Sequence, residues 1–238
     1  MTTQQPAAQR KRMRPEERKR YVLEKAIGYF SDEGFDGGTR ELAKRIGVTQ
    51  ALIFRYFPTK EDLVNEVYRE VYLSQWNDGW SSLLRESDHS MVERLHSFYE
   101  GFTGTFSRDW MRIFFFAALR DVDIHKRYLM RVTENLLLPI CFGVRRELGV
   151  KTELPISELE LHLAWTMHGA VFHQGIREFI YGYPPPTRPN LRYYTAVRMY
   201  LADAAEQVPA EIARLQALTE RGEEPPHFDP ILWRFPVP

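Results

Sequence analysis

Between positions 39 and 60 the chain carries, among other polar groups, the guanidinium forks of Arg40 and Arg55, the planar amide of Gln50, the phenol of Tyr56 and the ammonium of Lys60, threaded among Ala51, Leu52, Ile53, Phe54 and Phe57. Their shared chemistry is hydrogen bonding to oxygen and nitrogen atoms held at fixed spacing. A glutamine can pair bidentately with adenine, an arginine with guanine, and the methyl of Ala51 can touch a thymine methyl. Lys60, beside the free amides of a helix start, suits a phosphate. The apolar residues of the same stretch have a separate task, which is to anchor the helix that presents the polar ones.

Several short elements must position these groups. Pro15 followed by Glu16 and Glu17 marks a helix start, because proline fits the first turn and acids there suit the helix dipole. Leu23, Ala26, Ile27 and Phe30 then recur at i, i+3, i+4 and i+7, an amphipathic stripe. Gly34 ends this helix, and Asp36-Gly37-Gly38 makes a tight turn. Gly38 or Thr39 caps a short second helix with Leu42, Ala43 and Ile46 inward, and with Arg40 and Lys44 on another, outward face. Gly47 breaks it, and Thr49 caps a third helix that runs to about Phe57. In that helix Val48, Leu52 and Phe57 point at the neighbours, and Phe54 reads as core. Pro58 forces a turn, and Thr59 caps a longer helix with Leu63, Val64, Val67 and Val71 inward. Two short helices joined by a glycine turn and packed on a third describe a helix-turn-helix.

From residue 60 to 221 the pattern stays helical, with no sustained period-two stretch. Helices are expected at roughly 60–85, 90–106, 109–119, 122–148, 157–181, 190–206 and 209–221. The expected fold is all-α. It comprises a disordered basic arm (1–14), a helix-turn-helix domain (15–60), a larger helical domain (61–221) and a tail rich in proline and aromatics (222–238). The tail holds Phe228, Ile231, Leu232, Trp233 and Phe235, too apolar for free disorder, and is expected to pack on its own body or on a partner subunit.

The 238 residues balance 32 basic against 32 acidic side chains, but unevenly. Residues 1–60 hold 13 Lys and Arg against 7 Asp and Glu, a net of +6, and the remainder is correspondingly acidic. That asymmetry points to a basic module on an acidic body. Cys141 is the sole cysteine and lies in an apolar run, so it reads as a buried, inert thiol, and no intrachain disulfide is available. His162, His168 and His173 share one expected helix, but their spacing misses the i, i+4 pair of a zinc helix. The sequence has no Gly-rich phosphate loop, no G-x-S-x-G and no framed pair of catalytic acids, so no enzyme, metal or cofactor is expected. The apolar runs fall well short of the ~20 residues a spanning helix needs, and the polar, basic start offers no signal-peptide core. No membrane association is expected, and the cytoplasm is the default location.

Residues 21–68 resemble the DNA-binding domain of the tetracycline-repressor (TetR) family. The resemblance rests on F-x-x-x-G-F (Phe30 to Phe35), T-R-x-L-A-x-x-x-G-V (Thr39 to Val48) and F-P-x-K-x-x-L (Phe57 to Leu63). It implies that Thr39 and Arg40, at the start of the second helix, contact bases and phosphates. Thr49, Gln50 and Ala51 match the start of the recognition helix, Arg55 lies on its outer side, Tyr56 takes a phosphate-contacting position, and Lys60 matches a backbone-binding lysine. Two departures stand out: Phe54 replaces the usual tyrosine, and the Asp36-Gly37-Gly38 turn is one residue shorter than the common form.

The same resemblance implies a homodimer on a palindromic operator of double-stranded DNA, with the helices near 157–181 and 190–206 forming a four-helix interface. Trp165, Gly169, Phe172 and His173 are the candidate contacts there; an ordinary core helix is the other reading. It also implies a small-molecule effector in the aromatic-rich middle, where Trp80, Phe102, Phe106, Trp110, Phe114, Tyr128 and Phe142 either line a pocket for a hydrophobic or aromatic compound or fill a core. The expectation is a ligand-responsive transcriptional regulator, a repressor released by its effector. The alternative is a constitutive regulator with no effector.

Overall fold

The computed structural model describes residues 13–86 and 88–226, and every regular element among them is helical. Of the expected basic arm, only Met13 and Arg14 are described; Arg10, Lys11 and Arg12 lie outside, as does the tail beyond residue 226.

Helix α1 (Pro15–Glu33) begins on its proline, with the Glu17 carboxylate accepting from the Arg14 amide at 3.0 Å. It ends at Gly34, whose φ of +76° favours glycine and whose added Cβ would stand 3.2 Å from the Phe116 ring. Helix α2 (Thr39–Ile46) starts from Gly38 and closes on left-handed Gly47. Helix α3 (Gln50–Tyr56) is capped by Thr49, whose hydroxyl accepts from the Leu52 amide at 3.2 Å. Helix α4 (Lys60–Tyr68) opens with a reciprocal capping box between Thr59 and Asp62.

These four helices share a core of Val22, Ala26, Phe30, Leu42, Ile53, Phe57, Leu63 and Val67. In α3 the anchors are therefore Ile53 and the following Phe57, one turn apart, with Val48 and Leu52 half-buried. Phe54, expected in the core, is 38% exposed. Ile53 and Phe57 stand one above the other on one face of the helix, and the residue after Ile53 is turned about 100° away from it.

The single helix expected over 60–85 is two. Helix α4 runs into a wider π turn (Arg69–Leu73), the chain bends, and α5 (Gly79–Glu86) starts afresh. Asn77 makes the new start, its side-chain oxygen accepting from the Gly79 amide at 2.9 Å and its carbonyl from Trp80 at 3.1 Å. The Asn77-Asp78-Gly79 run is a turn signal in the sequence. Helices α6 (Met91–Gly104) and α7 (Arg108–Leu119) follow. The long helix expected over 122–148 is present as α8 (Ile124–Val132), a π turn (Thr133–Leu137) and α9 (Leu138–Glu147) in unbroken succession. The π turn lies just before Pro139, where a regular helix would lose a bond and crowd a carbonyl.

Helix α10 (Glu158–Phe179) is capped by Ser157 and Glu160, and a 3₁₀ turn (Pro189–Arg192) leads into α11 (Tyr194–Glu220). The break expected between 206 and 209 does not occur. Pro209 lies inside α11 on its exposed side, where a freed carbonyl can bond water, while Val208, Ile212 and Leu215 keep the inward stripe continuous.

Helix α7 joins the two parts of the molecule. Arg108, Arg112, Phe116 and Arg120 recur every four residues along it and face the end of α1. Arg108 bonds the Ser31 hydroxyl and the Asp32 carboxylate, Arg112 the carbonyls of Ser31 and Asp32, and Arg120 the Asp36 carboxylate. The Arg112 donors satisfy carbonyls that a helix C-terminus leaves unpaired. On another face of α7, Trp110 and Phe114 enter the core of the body.

Candidate nucleic-acid interface

The first turns of α2 and α3 are brought together by one side-chain bond: Gln50 Nε2 donates to Thr39 Oγ1 at 2.9 Å. Around that link the exposed residues are Arg40, Lys44, Thr49, Ala51, Phe54 and Arg55. Arg40, Lys44 and Arg55 make no side-chain hydrogen bond or ion pair among the described residues, so their charge is available. Arg45, by contrast, pairs with Glu33 at 3.2 Å. Tyr56 is half-buried against the core, one end packed and the other able to reach solvent.

Lys60 has a local occupation that the sequence does not reveal. Its ammonium donates to the carbonyls of Phe35 at 2.8 Å and Gly37 at 3.2 Å, closing the α1–α2 turn against the start of α4. An ammonium has three hydrogens, so two are committed there and one is left for a phosphate. The short turn is tight for a second reason: a Cβ on Gly37 would fall 1.8 Å from the Tyr29 hydroxyl. Burial, with the Glu41 and Glu33 carboxylates nearby, raises the pKa of that phenol and keeps it neutral.

Six of the seven expected pocket residues form one aromatic cluster. Trp110 lies at its centre, stacked on Phe114 at 5.7 Å, edge-on to Tyr128 at 5.0 Å and tilted against Phe106 at 5.4 Å. Phe102 joins Phe106 at 5.1 Å and Trp80 at 6.0 Å. Tyr72, not anticipated from the sequence, packs on Trp110 and Tyr128 and donates its hydroxyl to the Trp110 carbonyl at 2.9 Å. Phe142 is not part of the cluster: it lies exposed on α9 with the Arg85 guanidinium over its ring.

The expected interface residues of α10 divide. Gly169 and His173 are exposed, Trp165 is half-buried, and a Cβ at Gly169 would meet open space. Phe172 turns inward onto Phe106, Trp110 and Phe114. Positions 169 and 173 stand one turn apart on the exposed side, while Phe172, about 100° round from His173 and a heptad from the half-buried Trp165, faces the core.

The three histidines of α10 do not converge. His162 and His173 are exposed, whereas His168 is buried with Nδ1 3.3 Å from the Tyr99 hydroxyl. Burial lowers the His168 pKa to about 4, so its imidazole is neutral at physiological pH. Cys141 is buried, with its thiol 3.5 Å from the Glu160 carbonyl and its pKa pushed up by burial. Among the described residues, no three His, Cys, Asp or Glu side chains are grouped to hold a metal, and no helix is long and apolar enough to cross a membrane.

Comparison with known proteins places this geometry. A family model for bacterial regulatory proteins of the tetR family matches residues 22–67, which span α1 to α4. The HTH-type transcriptional regulator LuxR of Vibrio harveyi is 31% identical over 168 residues, covering 68% of this chain and 80% of that protein. The chain belongs to the TetR family. It is a helix-turn-helix transcriptional regulator, and members of its family bind DNA and usually dimerise. A TetR-family regulator from Pseudomonas syringae pv. tomato str. DC3000 has the same fold at TM-score 0.55 and 18% identity, covering 78% of this chain and 95% of its own. A TetR-family regulator from Mesorhizobium loti MAFF303099 matches at TM-score 0.52 and 16% identity, covering 80% and 98%.

Proposed function

We propose that this TetR-family chain is a homodimeric repressor that reads a palindromic operator through α2 and α3 and leaves it when a small hydrophobic or aromatic effector binds the body. The observation that carries the DNA part is the basic face: among the described residues Arg40, Lys44 and Arg55 project without partners beside Thr39, Gln50 and Ala51, while Arg45, just off that face, is paired. Arg40 and Arg55 meet phosphates or guanine, Thr49 and Ala51 lie at the groove floor, and Tyr56 reaches a phosphate from its packed position. Lys60 contributes its remaining hydrogen to a phosphate and holds the α1–α2 turn in place. Dimerisation through the exposed faces of α10 and α11, with Trp165, Gly169, His173 and Met199, would set two copies of α3 about 34–36 Å apart, one turn of the duplex.

Support for effector control comes from α7. Its Trp110 and Phe114 lie in the aromatic cluster and its arginines hold the end of α1, so a compound that parts the rings displaces the DNA module. Linkage requires the converse as well: operator DNA weakens the effector by the same factor. The second reading, a constitutive regulator, is favoured by the rings touching one another at 5.0–5.7 Å around Trp110, as in a filled core. Operator titrations across a panel of hydrophobic compounds separate the two. Release of operator by one compound supports control, and unchanged affinity across the panel supports the constitutive reading.

A further inference from the structure

We propose that Thr39 sets which base Gln50 reads. This rests on α3 being the helix that enters the major groove. A free glutamine can turn its amide either way, presenting an acceptor and a donor to adenine or two donors to the N7 and O6 of guanine. Here the amide is held. Gln50 Nε2 donates to Thr39 Oγ1 at 2.9 Å across the first turns of two helices, in a half-buried setting.

One amide hydrogen is thereby committed, and what remains is Oε1 and a single N–H. That pair matches adenine, whose N6 donates and whose N7 accepts. It does not match guanine, which offers two acceptors. Holding the amide also removes rotamer freedom that a long side chain would otherwise lose on binding. The choice turns on the Thr39 hydrogen: spent on a phosphate oxygen, it leaves Oγ1 to Gln50 as an acceptor, the arrangement seen here, whereas spent on Gln50 Oε1 it would free both amide hydrogens for guanine. A hydroxyl both donates and accepts, so a single residue links the base contact to the backbone contact. Thr39 is thus a positioning residue, and the reading residue is Gln50.

The test uses the full-length chain and a library of randomised duplexes, from which the preferred palindrome is taken. Affinity is then measured for duplexes carrying each of the four bases at every half-site position. Gln50→Ala identifies the position that Gln50 reads. If Gln50→Ala leaves the preference unchanged everywhere, Gln50 is not a reader and the premise about α3 falls with it. If it alters one position, Thr39→Val is measured there, because valine keeps the shape and loses the acceptor. The expected result is adenine at that position in the parent, discrimination against guanine reduced by about tenfold in Thr39→Val, and discrimination restored in Thr39→Ser. Guanine preferred by the parent would overturn the proposal. So would a Thr39→Val variant that binds every duplex more weakly by one common factor, since that outcome marks a phosphate contact alone. Thermal unfolding of each variant, expected to match the parent, keeps a folding defect from imitating either result.

Discussion

Among the described residues Arg40, Lys44 and Arg55 stand unpaired on the face formed by α2 and α3, whereas Arg45 and Lys60 are already engaged nearby. Each free cation that neutralises a phosphate releases counterions, so Arg40→Ala and Arg55→Ala are each expected to reduce the slope of log affinity against log salt by about 1. Equilibrium titrations of operator at several salt concentrations measure it. Lys60→Met should behave differently, unfolding at lower denaturant because two buried-side carbonyls lose a charged donor, a cost of roughly 1–3 kcal/mol. In the body, His168 has its pKa lowered from 6.5 to about 4 by burial. The unfolded chain therefore binds more protons than the folded one between those values. His168 leaves stability intact above pH 6.5 and erodes it progressively as pH falls toward 4. Urea unfolding should show roughly 2 kcal/mol less stability from this group at pH 5 than at pH 7.5, a difference that His168→Gln removes.

At the scale of elements, α7 is the helix that touches both parts of the chain. Its arginines bond carbonyls and carboxylates at the end of α1, Phe116 packs on Gly34, and its other face holds Trp110. Arg112→Ala is expected to loosen the end of α1, with faster amide exchange at residues 31–36, while exchange within α10 and α11 stays at the parent level. If effector control runs through α7, the same substitution also shrinks the effector's influence on operator affinity. Gly34→Ala strains a positive φ and presses on the Phe116 ring, and should cost about 1–2 kcal/mol in unfolding free energy. Elements were legible wherever a local signal fixes them. Pro15, Gly34, Gly47, Thr49 and Thr59 mark the helix ends that the structure shows. The misread elements have equally local causes. Asn77-Asp78-Gly79 cuts the long fourth helix, and Pro209 stays helical because its side of α11 faces water.

For the whole molecule, TetR-family membership sets the architecture, and dimerisation is the property on which the proposed operator binding hinges. The exposed side of α10 and α11 holds Gly169, Tyr194 and Met199, the last 68% exposed in a single chain. Met199→Asp, which is expected to leave the fold intact, should turn the proposed dimer into a monomer by sedimentation and lower operator affinity by at least tenfold. What the sequence left unread at this scale was orientation. Phe54 points out and Phe172 points in because a 100° step per residue separates neighbours that composition treats alike. Lys60 and Gln50 were legible as polar groups at helix starts, but their bonds to Phe35, Gly37 and Thr39 span 25, 23 and 11 residues and exist only once the three helices meet. The most direct test of the account is selection from randomised duplexes with the full-length protein, followed by stoichiometry on the enriched sequence. The account predicts an inverted repeat with half-site centres about one helical turn or a multiple apart, bound by a dimer or pairs of dimers, with enrichment lost in Arg55→Ala. An asymmetric single site bound by one chain, or no enriched sequence at all, would contradict it.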